Sequence, residues 1–415
     1  MTATAETFRW RSAALSAFLP TLLFSIGEGA LIPIIPVAAD DLGASLAIAG
    51  VVAAMITLGE LLGDIPSGAI VSRIGERTAM IGASAIAAAG ALLSLLAPNP
   101  LVLGVGIFLV GIATAVFSLA RHAFLTSYVP IEYRARALST LGGTFRLGYF
   151  LGPFLSAAVI TLTGSVAASF WIFLAGCAGA VIVLLTLPDP ESTFGAVRRA
   201  RAGRHETEGQ RLVAAEADGL LGTVRRHRGL LLRLGTGSAL IAALRASRQV
   251  VLPLWAVSIG LGESHTALII GIAGAVDFAL FYTGGQIMDR FGRLWTAVPS
   301  MIGLGLGHLV LAFTHDLLTN EGWFLAIALF LSLANGIGAG ILMTLGADLA
   351  PPGNPAPFLG AWRFTNDSGG AIAPLLVAGV TAVASLPVAV AVMGVLGFAG
   401  AGVLLRYVPR YSPRR

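Results

Sequence analysis

Twelve apolar stretches of 20 to 30 residues leave this chain one kind of environment to fold in. They run over residues 12–38, 45–71, 78–97, 101–125, 137–162, 167–187, 230–259, 264–288, 294–314, 322–349, 357–383 and 386–407. A helix needs about 17–25 predominantly apolar residues to cross a bilayer. Barrel strands would instead alternate apolar with polar residues over about ten positions, and unbroken runs such as 78–97 do not. Composition points the same way: 56% of the 415 residues are hydrophobic and 11% are charged, against about 25% charged in an average soluble protein. The expected fold is an all-α integral membrane protein of twelve transmembrane helices. Met1 to Trp10 has no cleavage-site pattern behind a short apolar core, so no removed signal peptide is expected.

All 26 basic residues are arginine; lysine is absent. Arg9 and Arg11 precede the first span, Arg73 and Arg77 follow the second, and Arg134 and Arg136 follow the fourth. Nine more cluster between spans six and seven or just inside seven, Arg290 and Arg293 follow span eight, and Arg406, Arg410, Arg414 and Arg415 close the chain. The alternate loops hold only acids: Asp40, Asp41, Glu263, Asp316 and Glu321. Arginine-rich loops stay cytoplasmic, so both termini are expected inside. The organisation that follows is a cytoplasmic N-terminus (1–11), a six-helix bundle (12–187), a cytoplasmic linker (188–229), a second bundle (230–407) and a cytoplasmic tail (408–415). The linker mixes eight arginines with six acids and is read as a solvated segment with an amphipathic helix on the membrane surface. The net charge of +5 then reports topology, not a nucleic-acid partner. Cys177 is the only cysteine, which excludes an intramolecular disulfide.

A single gap-free offset of 217 aligns the punctuation of the two halves. It pairs Pro36 with Pro253, Gly43 with Gly260, Gly68 with Gly285, Arg73 with Arg290, Gly75 with Gly292, Gly90 with Gly307, Gly143 with Gly360 and Arg146 with Arg363. It also sets Glu60 against Asp277 and, with opposite sign, Glu28 against Arg245. Transporters are often built from such duplicated halves. Between spans eight and nine the chain reads Gly285-Gln-Ile-Met-Asp289-Arg290-Phe-Gly292-Arg293; between two and three, Ser72 stands where the first copy would carry the aspartate.

With the pattern Gly-x-x-x-Asp-Arg-x-Gly-Arg intact in its second copy, the chain resembles a major facilitator superfamily transporter over essentially its whole length. The resemblance implies two six-helix bundles and a latch at the inner face built from Gly68, Arg73, Gly75, Gly285, Asp289, Arg290, Gly292 and Arg293. Asp348, at the inner end of span ten, is expected to pair with Arg290, while the first half has lost its anion. Gly148-x-x-x-Gly152-Pro153 in span five resembles, in part, the glycine-rich motif of the family's drug/proton antiporter branch; Ser156 and Ala157 stand where its last glycine pair would fall.

Charged groups inside a bilayer are costly and mark functional sites by default. Ten lie within the spans: Glu28, Glu60, Asp64, Asp277 and Asp367, with Arg121, Arg146, Arg245, Arg248 and Arg363. The five acids are the proton-coupling candidates. In the family, helices one, four, seven and ten line the cavity, while two meets eleven and five meets eight across the interface. Laid on this chain, that implies ion pairs Glu60–Arg363 and Asp277–Arg146, which on a plainer reading only hold the halves together. A first-helix acid such as Glu28 serves some drug antiporters of the family as a proton or cation acceptor; the competing reading is a permanent bridge from Glu28 to Arg245 or Arg248. Phe24, Tyr149, Trp255 and Tyr282 fall on spans bordering the cavity. His308 is read as a packing residue.

These readings lead to a proton-coupled secondary transporter, with export of small amphipathic or lipophilic compounds by alternating access as the main expectation. The alternatives are an importer or facilitator of a nutrient or organic anion, or a lipid translocator. An enzyme is not expected: the six histidines form no metal spacing, and no Walker loop is present. No cofactor or metal is expected; the partners are a small-molecule substrate, protons and the lipid bilayer. A monomer in a bacterial inner membrane is the expected setting, from the Ala/Gly/Arg bias of the sequence.

Overall fold

A computed structural model describes residues 18–128, 131–187, 220–351 and 356–411. The expected N-terminal segment 1–11, most of the linker 188–229 and the end of the tail lie outside the described residues. Ten helices are long and apolar enough to cross a membrane, or eleven when the bent pair Leu19–Leu31 and Ile35–Asp41 counts as one span. The helix Ala356–Val383 is also long enough, at 28 residues. It is less apolar because Arg363, Asn366, Asp367 and Ser368 fall together in one of its halves. These twelve are named below by the span numbers of the sequence.

Local sequence sets the ends and breaks. Ser45 Oγ accepts the Ile48 amide at 3.4 Å to start span two, Leu46–Ile74. Asn99 Oδ1 accepts the Val102 amide at 3.0 Å at the start of span four, Pro100–Tyr128. Each satisfies an otherwise orphaned helix N–H. Pro33 lacks the amide that would continue span one, and the helix bends by 43° there. Span ten is interrupted as well: Asn320–Ile337 stops, a turn at 338–340 follows, and Ile341–Leu349 resumes after Gly340, whose φ of +81° suits glycine.

The packing is the same in both halves. Span one lies against five and six, and seven against eleven and twelve; two and three flank four as eight and nine flank ten. Between the halves, span two runs along eleven and span five along eight. The glycines of the span-five motif explain the one–five contact: a Cβ on Gly148 would meet Ser25 Cβ at 2.5 Å, and one on Gly152 would meet the Ala30 nitrogen at 2.5 Å. Only glycine lets these backbones approach so closely. Spans three, six, nine and twelve show Ile86, Trp171, Ile302 and Val395 outward, as a lipid-facing surface requires.

One end of the molecule carries Arg73, Arg225, Arg226, Arg290, Arg406 and Arg410 and is called the basic face here; the other is the opposite face. At the basic face Arg293 Nε donates to Asp348 Oδ2 at 2.7 Å and Nη2 to Oδ1 at 3.2 Å. This two-point contact holds the guanidinium above its ordinary pKa. The latch partner of Asp348 is therefore Arg293, not Arg290, which lies over the Phe291 ring at 5.2 Å. Gly292 at φ +95° turns the chain so that Arg293, not its neighbour, heads back toward span ten. In the first half, Gly75 makes the matching turn at φ +84°. There Arg77 donates to the backbone carbonyls of Leu184, Leu185 and Leu187 at the end of span six. Arg73 is exposed, and Ser72 Oγ only bonds its own helix, at Ala69 O.

Candidate functional site

At mid-depth the two halves enclose a cavity of about 370 Å³, lined by spans one, two, five, seven, eight and ten. On the opposite face the halves meet above it. Thr161 Oγ1 and Ser264 Oγ are 2.6 Å apart, and Gly50 faces Ala378 and Leu254. Five charged side chains line the walls: Glu60, Arg146, Arg245, Arg248 and Asp277. Phe145, Tyr149, Phe150 and Phe278 supply aromatic surface, with Phe150 and Phe278 parallel at 6.0 Å.

Asp277 is the anchored acid. Its Oδ2 accepts from Arg248 Nη2 at 3.2 Å and Asn335 Nδ2 at 2.8 Å, while Arg146 Nη1 lies 3.5 Å from Oδ1. Arg248 also donates to Ser332 Oγ at 2.6 Å. One carboxylate thus binds spans five, seven and ten to span eight. Arg245, one turn from Arg248, is arranged differently. Its Nη2 donates to the Gly338 carbonyl at 2.5 Å, its Nε is buried without a partner, and no carboxylate lies within 4.0 Å among the described residues. At the break in span ten the Gly338 carbonyl accepts the Ile341 amide at 3.3 Å across the turn and the Arg245 guanidinium as well.

Glu60 has neither hydrogen bond nor ion pair among the described residues, although it lines the same cavity. The expected Glu60–Arg363 pair is replaced by Asp64–Arg363, with Nη2 to Oδ1 at 2.5 Å. Arg363 Nε also lies 3.5 Å from Asp367. Asp64 is one helical turn nearer the basic face than Glu60, and that is the level at which span eleven brings its arginine. The Asp277–Arg146 contact falls between the two residues expected.

Glu28 is fully buried in the first half, behind Tyr149 as seen from the cavity. Thr114 Oγ1 donates to its Oε1 at 3.3 Å, and Tyr149 and Arg121 are its polar and cationic neighbours. Its Oε2 has no partner. A bridge from Glu28 to Arg245 or Arg248 is absent; those arginines are engaged on span ten and Asp277. Arg121 lies over the Phe145 ring at 4.8 Å, which places it at the cavity's edge and not on its wall.

Three of the four expected cavity aromatics lie elsewhere. Phe24 is 1% exposed, stacked on Phe117 at 4.3 Å in the core of the first half. Trp255 is fully buried, with its edge toward His315. Tyr282 is 74% exposed on the outside of span eight. Helix rotation decides this: each residue turns the side chain by about 100°, and only Tyr149 of the four is turned inward. His308 is buried between Ser247 Oγ at 2.9 Å and the Leu304 carbonyl at 2.8 Å. Asn335, Ser332 and Gly338 were not among the expected residues, and all three hold the cavity's arginines and acid in place. Among the described residues, no group of three His, Cys, Asp or Glu could hold a metal.

A charged cavity at the midplane between two matched bundles defines a secondary membrane transporter. The chain belongs to the Major Facilitator Superfamily, whose family model matches residues 17–374 and again 250–415. It is 26% identical over 209 residues to Probable inositol transporter 2 of Arabidopsis thaliana, a match covering 49% of this chain and 35% of that protein. It is 27% identical over 188 residues to the galactose-proton symporter of Escherichia coli K12, covering 44% and 39% respectively. The chain thus matches less than half the length of these curated relatives. Among solved structures, a POT family transporter superposes with a TM-score of 0.76 at 13% identity over 97% of each chain. A D-xylose-proton symporter does so at 0.71 and 16% identity over 97% of this chain and 98% of that one. Likeness at such identity is likeness of fold. The protein is a multi-pass integral membrane protein, and its fold and relatives are those of transporters, not enzymes.

Proposed function

We propose that the protein is a proton-coupled importer of a small polar solute, with Glu60 as the residue that takes the proton. The carrying observation is Glu60 itself: a carboxyl on the cavity wall with no cation or donor occupying it. An acid left open to the cavity can gain and lose a proton as access alternates, whereas Asp277 is already committed to two arginines and an amide. Glu28, buried behind Tyr149, is a second proton site behind the wall. Five charged groups around about 370 Å³ suit a polar solute better than a lipophilic one, because apolar ligands gain nothing from desolvating charges. Sequence relatives named as an inositol transporter and a galactose-proton symporter favour uptake of a nutrient in the same way. Export of lipophilic compounds, the first expectation from sequence, has no support of this kind.

In this reading the bundles 12–187 and 230–407 rock about the cavity, and the basic face is cytoplasmic with both termini inside. The protein works as a monomer in a bacterial plasma membrane. Reconstitution in liposomes with an imposed inward proton gradient tests it. Wild-type protein is expected to accumulate a solute from a panel of sugars, polyols and small acids. Glu60→Gln is expected to lose accumulation by a factor of at least about ten yet retain gradient-free exchange. Accumulation by Glu60→Gln equal to wild type would overturn the assignment of Glu60; proton flux outward against substrate would overturn import.

A further inference from the structure

We propose that Arg245 is the anchor for a carboxylate on the transported solute, so that the substrate is a small organic anion. This rests on the transport reading above and narrows it to a chemical class. The first ground is an imbalance among the arginines inside the membrane. Arg146 and Arg248 have Asp277, Arg363 has Asp64 and Asp367, and Arg121 has Glu28 beside it. Arg245 has no acid. A guanidinium in a bilayer-depth cavity without an anion is a costly arrangement, and such sites gain most from an anionic ligand.

The second ground is preorganisation. A guanidinium has five N–H donors in a rigid fork. Nη2 of Arg245 is fixed by the Gly338 carbonyl at 2.5 Å and its Nε is buried, while Nη1 has no hydrogen bond among the described residues, so the group is oriented without being used up. Arginine presented this way favours a planar, two-oxygen acceptor. The third ground is the charge of the wall. Three arginines against Glu60 and Asp277 leave one net positive charge when both acids are ionised. A monocarboxylate cancels it, a neutral sugar leaves it in place, and a cation doubles it. The parallel Phe150 and Phe278 rings offer an apolar surface for the rest of such a molecule. The cavity, near the lower end of the usual 300–1,000 Å³ range, limits it to a small one.

The test measures binding to the purified full chain in detergent, with no gradient, by thermal stabilisation across matched pairs. The probes are acetate with acetamide, benzoate with benzamide, and galacturonate with galactose. The expected result is stabilisation by at least one acid and not by its neutral partner. Arg245→Gln is expected to weaken that acid's binding by at least about 30-fold, and Arg245→Lys, which keeps the charge but not the fork, to weaken it less. Absence of any acid preference that depends on Arg245, or preference for the neutral partner, would overturn the proposal. Because no gradient is involved, acid binding without proton-driven uptake would sink the coupled-transport reading alone. Galactose accumulation without acid binding would sink only the anion site.

Discussion

Glu60 and Asp277 stand 217 residues apart at matched positions of two equivalent halves, and both face one cavity. One is held by three donors and the other, among the described residues, by none. Duplication therefore gave two acids the same address, and the surrounding residues assigned them different work. What separates them is the company offered by spans five, seven and ten: Arg146, Arg248 and Asn335 converge on Asp277. Around Glu60, the arginine matched to Arg146 by the same offset is Arg363, and it passes one turn away to Asp64. The pinned acid joins four helices, and in the proposed reading the open one carries the proton. The difference between structure and function lies in one helical turn.

The strongest way to break this contrast is to remove the pinned acid. Asp277→Asn leaves two arginines at the cavity wall without their anion, and breaking a buried pair in this way costs about 3–5 kcal/mol. A marked fall in the unfolding temperature of the purified protein is expected, with loss of transport. A change as small as that of Glu60→Gln would show that Asp277 is no more structural than its mate. The next largest effect is expected at the displaced partner. Arg363→Gln removes the charge-assisted hydrogen bond to Asp64, worth about 1.5–3 kcal/mol when buried and less here, where Arg363 is partly exposed. Transport lost in Arg363→Asp should be recovered by adding Asp64→Arg and not by adding Glu60→Arg. Recovery with Glu60→Arg alone would restore the pairing that the sequence suggests.

That misplaced pair shows where sequence reasoning stops. The twelve spans and the two halves were legible because apolar length, arginine placement and a fixed offset are properties of the chain itself. The choice between Glu60 and Asp64 was not: they are i, i+4 on one helix face, and only the vertical level of span eleven decides between them. Phe24, Trp255 and Tyr282 failed for a related reason, since membership of a cavity-bordering helix says nothing of its rotation. The holders of the site carried a readable signal that went unused. Ser332 and Asn335 are polar residues one turn apart in an apolar span, followed by Gly336, Gly338 and Gly340. Interrupted spans with polar residues at the break are where transporters build their sites.

The basic face repeats the contrast on a smaller scale. The second half closes its loop with a two-point contact from Arg293 to Asp348, and the first half closes its own with Arg77 on the carbonyl end of span six. An arginine on a helix C-terminus stabilises through the helix dipole and needs no acid, so loss of the aspartate at position 72 leaves a different tie in place of an absent one. Asp348→Asn is expected to cost about 1 kcal/mol or less of stability and to increase labelling of a cysteine placed at the basic-face end of span ten. Arg77→Gln should loosen span six instead. Equal labelling in both variants at both positions would mean that the two ties are interchangeable.

Glu60→Gln should have the smallest effect on stability of all, and this is what gives it power. No hydrogen bond or ion pair is lost, and the amide is close in volume to the carboxyl, so a shift within about 0.5 kcal/mol is expected. The variant should also weaken the dependence of uptake on external pH, because the first of the two proposed proton sites can no longer change charge. A protein as stable as wild type that exchanges solute but no longer responds to a proton gradient would locate coupling at one side chain. If stability instead fell as far as in Asp277→Asn, Glu60 would be a structural acid like its mate. The two halves would then differ only in which residues hold them together.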